Sequence, residues 1–146
     1  MNNKKDIVEN CMYYFHNGYS CSESTLMAGL DYQGVESDCA PGVASVFGGG
    51  LKGLGHVCGA VSGTLMLIGI LYGKKGLNDT CDKANQLATE FLDFCETELG
   101  TIMCRDITQL DFRVEPYPSE KCDKIIEANC VPYLTKICLW QKEHLR

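Results

Sequence analysis

The chain has 146 residues, 45% of them hydrophobic and 22% charged, which fits one globular domain over residues 1–146 with a core of its own. A formal charge of -6 and a pI near 5.0 argue against a nucleic-acid partner, because a polyanion is bound through clustered Lys and Arg that release its counterions, and no basic stripe occurs. Ten cysteines are the one departure from ordinary composition.

Alternating β-branched runs are scarce, prolines number four, and helical periodicity recurs from end to end. The pattern predicts an all-α single-domain bundle of about six to eight helices. The opening Met1-Asn2-Asn3-Lys4-Lys5-Asp6 is polar, without an apolar run or a cleavage signal, so a cytoplasmic location is expected. A first helix is expected from about Lys4 to His16, with Ile7, Cys11, Tyr14 and Phe15 on one face and Gly18 as its stop.

Ser20 and Glu23 stand at the spacing of a capping box, which makes Cys21 the first residue of a second helix running to about Tyr32. A further helix is expected from Ser37 or Asp38, with Pro41 in its first turn, through Val43, Val46 and Phe47. The run from Phe47 to His56 is too rich in glycine for an ordinary helix, since each interior glycine costs about 1 kcal/mol relative to alanine. Glycine backbone also reaches unusual dihedrals and approaches a ligand closely, which makes Gly48, Gly49 and Gly50 candidate cofactor-binding positions. The loop has neither the Lys-Ser/Thr of a P-loop nor a preceding strand, so nucleotide binding is not expected.

Cys58 opens a buried central helix ending near Gly73. The apolar stretch from Val57 to Tyr72 is shorter than the roughly 20 residues of a membrane helix and is broken by glycines, so no membrane span is expected. Asn78 or Thr80 is the expected cap of a long helix through Leu87, Phe91, Phe94, Cys95 and Leu99, stopped by Gly100. A short helical turn over Thr101 to Thr108 follows, then a loop marked by Pro116 and Pro118. Ser119 caps a brief helix through Ile125 and Ile126, and Pro132 opens a last helix with Leu134, Ile137, Cys138 and Trp140.

No CxxC pair occurs, which excludes zinc ribbons, thioredoxin-like dithiols and ferredoxin-type runs. Thiols that act together must therefore converge from distant segments. Cys21, Cys58 and Cys130 each fall at an expected helix start, where unpaired N–H groups and the helix dipole favour a thiolate. The plain alternative is that each is a small core residue. Arg105 beside Cys104 would also favour a thiolate, and His56 is a candidate ligand or proton donor near Cys58. No acid–base or nucleophilic constellation is evident, so an enzymatic activity is not assigned.

The stretches Gly18-Tyr19-Ser20-Cys21-Ser22-Glu23-Ser24, Phe47-Gly48-Gly49-Gly50, Val57-Cys58-Gly59-Ala60-Val61-Ser62-Gly63 and Thr101-Ile102-Met103-Cys104-Arg105-Asp106, with Cys130 and the helix carrying Trp140, together resemble the C_GCAxxG_C_C family of redox-active proteins. The central motif reads Cys58-Gly59-Ala60 where the family label writes Gly-Cys-Ala. The resemblance implies a redox role through Cys21, Cys58, Cys104 and Cys130 as metal ligands, with Gly59 beside them as a further cofactor-binding position. Cys122 also precedes an aliphatic helix and is the alternative to Cys130, whose distance to Trp140 matches the closing helix better. It further implies an iron–sulfur cluster, [2Fe-2S] or [4Fe-4S], used in electron transfer or redox sensing, with a redox partner protein and a homodimer. Four cysteines are the common cluster ligand set. Zinc on the same thiols, as a stabilising and non-catalytic metal, and reversible thiol–disulfide exchange are the two alternatives.

Overall fold

The computed structural model describes residues 5–146. Seven helices form the frame: α1 (Ile7–His16), α2 (Cys21–Gln33), α3 (Gly59–Tyr72), α4 (Asp82–Glu98), α5 (Cys104–Thr108), α6 (Glu120–Ile125) and α7 (Val131–His144). Among the described residues there is no strand, only an isolated antiparallel bridge between Val57 and Met103. No described helix is long and apolar enough to cross a membrane. The expected all-α class is what the chain adopts. Lys4, the expected start of α1, lies outside the described residues; Asp6 caps the helix, its side chain accepting from Val8 N and Glu9 N.

The centre is a tight pair, α2 against α3, both buried over most of their surface. The capping box starts α2 as its sequence dictates: Ser20 Oγ accepts from Glu23 N at 3.2 Å, and Ser20 N donates to Glu23 Oε1 at 2.9 Å. Gly34, in the left-handed region at φ 68°, ends it. The pair can close because Gly63 has no side chain. A Cβ there would collide with Ser22 O and Thr25 Oγ1 on α2. Helices α1, α4 and α7 pack around this pair, with Leu26, Val61, Leu67, Phe91, Leu134 and Ile137 among the buried residues of one core.

Three expectations change. The segment after Ser37 forms only a single 3-10 turn, Gly42–Ala44, because Pro41 and Gly42 break the helical pattern and Ser22 Oγ on α2 instead holds the segment by donating to Ala44 O at 2.7 Å. Neither Asn78 nor Thr80 caps α4. Cys81 takes that place without a side-chain cap bond, and Asn85 Nδ2 donates to its sulfur at 3.4 Å. Finally, α6 and α7 are not separate. A π turn, Ile126–Cys130, joins them into one continuous rod, closed by Val131 N donating to Ile126 O.

Gly63 and Gly69 give opposite expected outcomes on one helix. Gly63→Ala should cost about 1–3 kcal/mol through overpacking against α2. Gly69→Ala, where an added Cβ meets nothing within 4 Å, should instead stabilise the chain by about 0.5–1 kcal/mol. Urea unfolding of the two variants measures both signs.

Candidate redox site

Cysteines from four separate segments face one cavity. It has a volume of about 930 Å³, and Cys21, Cys58, Cys104 and Cys130 all line it. Each is delivered by a different local device. Cys21 is the first residue of α2, fixed by the capping box, and Cys58 is the N-cap of α3. Cys104 opens α5 and is tied to the Cys58 segment by a short ladder, with Cys58 N donating to Ile102 O and Cys104 N to His56 O, both at 2.7 Å. Cys130 ends the π turn, which Asn129 anchors by donating from Nδ2 to Ile107 O at 3.0 Å. Cys122, the alternative, is buried away from the cavity, with its thiol donating to Pro116 O at 3.5 Å.

The glycines divide in their roles. Gly48 and Gly49 line the cavity, and Gly49 has φ 71°, a left-handed conformation that lets its N–H turn toward Cys21. Gly50 lies behind the wall, where a Cβ would stand 2.9 Å from Cys104 Cβ and still closer to the His56 backbone. Gly59 faces the Cys21 sulfur itself: a Cβ there would come within 2.5 Å of Cys21 Sγ. The Cys58-Gly59-Ala60-x-x-Gly63 sequence thus combines a thiol, a gap for a second sulfur, a buried small residue and a gap for the facing helix.

The four thiols are not equivalent. Cys58 donates its S–H to the Cys21 sulfur, and backbone N–H groups of Gly49, Ser22 and Gly59 point to the same atom. Against the opposing cost of burial, these donors bring the Cys21 thiol down to about 7. Cys58, the donor in that contact and itself buried, is pushed well up. Burial pushes Cys104 up to about 11 and Cys130 up to about 12, with the charge of Cys21 adding to both. Only Cys21 ionises near neutrality. Helix position explains the difference for Cys130, which sequence placed at a helix start: in the continuous rod Val131 N donates to Ile126 O and Pro132 has no N–H, so neither following residue offers a donor to its sulfur.

Other candidates fall away from the chemistry. The Arg105 guanidinium donates from Nε to Gly55 O at 3.1 Å, and Cys104 gains no net lowering. His56 is exposed and serves through its backbone, donating from N to Gly50 O and accepting from Cys104 N. A wall residue not anticipated from sequence is Tyr133, whose hydroxyl donates to Thr101 O at 2.6 Å and so holds the Cys104 segment against α7. Its position one turn after Cys130 was the available signal.

Among the described residues, no three Cys, His, Asp or Glu side chains stand close enough to hold a single metal ion. The four cysteines line one cavity, and their chemistry, sulfur donors with backbone N–H groups aimed at one of them, is that of a thiolate donor set.

Residues 19–135 match a family model described as "Putative redox-active protein (C_GCAxxG_C_C)". The match takes in all four cavity cysteines and stops within α7, short of Trp140, which the sequence resemblance had included. No curated protein and no solved structure matches the chain.

In the metal-free chain, Cys21 should alkylate first among the four, with a rate that rises with pH and is half-maximal near pH 7. Cys104 and Cys130, whose thiols burial pushes up, should react far more slowly than Cys21 at neutral pH. Gly59→Ala, by displacing the sulfur from its N–H donors, should move the Cys21 midpoint upward. Isotope-coded alkylation with peptide mapping resolves each cysteine.

Proposed function

Because the chain belongs to the C_GCAxxG_C_C family of redox-active proteins, we propose that its redox centre is an iron–sulfur cluster held by Cys21, Cys58, Cys104 and Cys130, serving electron transfer or redox sensing. One observation carries the reading: four thiols brought from four distant segments onto one cavity. A disulfide would need two of them, and a single tetrahedral ion would need all four at one point, with Zn–S bonds of about 2.3 Å. A bound cluster would supply reversible one-electron chemistry.

The chain's own contributions follow from the site. Cys21 already favours the thiolate that ligation requires and is the natural first ligand. The N–H groups of Gly49, Ser22 and Gly59 would continue to donate to its sulfur, favouring the more negatively charged, reduced state and so raising the potential. The ladder between residues 56–58 and 102–104 sets the separation of Cys58 from Cys104 without help from any bound group. Aromatic and aliphatic walls, among them Phe15, Tyr19, Phe112 and Tyr133, limit water around the sulfurs.

A second reading rests on the Cys58-to-Cys21 contact. Cys21 as thiolate would attack a disulfide of a redox partner, releasing one thiolate, and Cys58, on losing its proton, would displace the second. The product is a Cys21–Cys58 disulfide and a dithiol partner, a two-electron exchange.

Anaerobically purified protein decides between these readings. The cluster reading expects iron and acid-labile sulfide in matching amounts, broad visible absorption, and loss of that absorption in Cys21→Ser or Cys58→Ser. A colourless protein that binds neither element after reconstitution, yet shows Cys21 and Cys58 alkylation that changes reversibly with redox poise, would replace it with thiol exchange. One zinc per chain, with unfolding by chelator, would make the site structural.

A further inference from the structure

Exposed apolar side chains gather around the mouth of the cysteine cavity. Of the ten exposed large hydrophobic residues among the described residues, seven lie on three segments that form its walls. Tyr19, Val46 and Tyr117 line the cavity directly, Val46 at 62% and Tyr117 at 61% exposure. Val43, Leu51, Leu54 and Val114 flank them on the same stretches of chain. A monomer rarely leaves so much apolar surface in one place without a use for it.

The three segments touch one another. Ser45 Oγ, next to Val46, donates to Glu23 Oε2 on α2 at 2.9 Å, and Glu23 belongs to the capping box that begins just after Tyr19. At Gly53 an added Cβ would stand 3.3 Å from Phe112 Cβ, so the glycine-rich loop lies against the segment that follows α5. Phe112 in turn meets Tyr117 edge-to-face, with ring centroids 5.5 Å apart. The apolar residues therefore sit on one connected rim.

The charged residues of that rim are mostly carboxylates. Glu23, Glu115, Asp123 and Glu127 line the cavity, and Lys52 is the lysine among the lining residues. Lys121 meets Glu115 at 2.9 Å and His16 meets Glu127 at 2.6 Å, while Asp123 has no ion pair among the described residues. Four carboxylates against Lys52 and Lys121 leave the rim acidic, on a chain whose net charge is -6. Two copies of the chain meeting through this face would set carboxylates against carboxylates, since a two-fold contact brings the same patch together from both sides. A partner bearing Lys and Arg gains where a second copy loses.

We propose that the cavity mouth is the docking surface for a redox partner protein that presents a basic rim around an apolar contact. The proposal rests on the redox reading of the cavity for the partner's role, and on this surface for its chemistry. Carboxylates at the edge steer the encounter and set its rate, and Tyr19, Val46 and Tyr117 supply the apolar centre that governs its lifetime. Contacts of this kind between redox proteins are small and transient, often under about 1,200 Å². The four cysteines line the same cavity, so a partner seated on its mouth faces them.

The test titrates the full chain, purified anaerobically, with oxidised cytochrome c, a basic haem protein, and follows binding by calorimetry and by hydrogen exchange with mass spectrometry. The expected result is saturable binding at low salt that weakens as salt rises, with exchange slowed in residues 43–54 and 112–127. Asp123→Lys should weaken binding roughly tenfold. Glu96→Lys, the same change in net charge at an exposed position of α4, should weaken it far less. Val46→Ser should weaken binding at every salt concentration, because it removes apolar contact and no charge. No saturable binding, or equal losses from the two charge reversals, would overturn the proposal. So would sedimentation of the free chain as a dimer that Val46→Lys dissociates, since a second copy would then cover the surface. Binding does not require a cluster: a colourless protein that still docks at this face removes the cluster reading alone, and a cluster-loaded protein that docks elsewhere removes the surface alone.

Discussion

The close approach of α2 to α3 is the contact on which the site depends. Two glycines one helical turn apart, Gly59 and Gly63, leave that face of α3 without side chains, and each gap receives something definite from α2. At Gly63 the gap takes the α2 backbone, which sets the distance between the helices. At Gly59 it takes the Cys21 sulfur, which is thereby brought against the start of α3 and its N–H groups. Packing and chemistry are set by the same absence of side chains. The buried hydroxyls of Thr25 and Thr64 and the Gln141 amide extend the arrangement, with Gln141 Nε2 donating to Thr25 O and to Thr64 Oγ1 and so tying α7 to both central helices.

The electrostatics follow from how many donors reach each sulfur. Cys21 receives three backbone N–H groups and one thiol, enough to outweigh its burial. Cys104 receives a hydroxyl contact from Thr108, which does not offset its burial and the charge of Cys21. Ionising Cys21 makes the other three harder to ionise, because its negative charge acts across the same low-dielectric space. A cavity with one acidic thiol and three reluctant ones is poised for a first bond at a known atom. A cationic group arriving there would relieve the repulsion for the rest.

Much of this was legible in the sequence where local rules operate. Ser20 and Glu23 announced the start of α2, and Gly18 and Gly100, the expected stops of α1 and α4, both lie at positive φ just past those helices. Absence of CxxC spacing meant that thiols acting together had to converge from separate segments, and the cavity draws cysteines from four. What could not be read was set by tertiary contact. The pairing of residues 55–58 with 102–105 has no local signal, since one short bridge is too brief to leave an alternating pattern. Pro41 looked like a helix opener because proline suits a first turn, but the segment is instead held to α2 through Ser22. Pro132 likewise marks the start of α7 without breaking the rod, because a proline near a helix start forfeits no needed bond and the π turn before it accommodates the change.

That π turn acts as a length gauge. An α-helix advances each residue by about 100° around its axis, so the extra residue held in the turn between Ile126 and Cys130 offsets the face of α6 from the face of α7 by about that angle. Beyond the turn Cys130 and Leu134, one helical turn apart, both line the cavity, whereas Cys122 before it is buried off the cavity. The count of residues between Cys122 and Tyr133 is therefore as constrained as their identity. The exposed loop over residues 74–80 carries no such constraint, and lengthening or shortening of the chain over its history would be expected to collect there and to spare the turn.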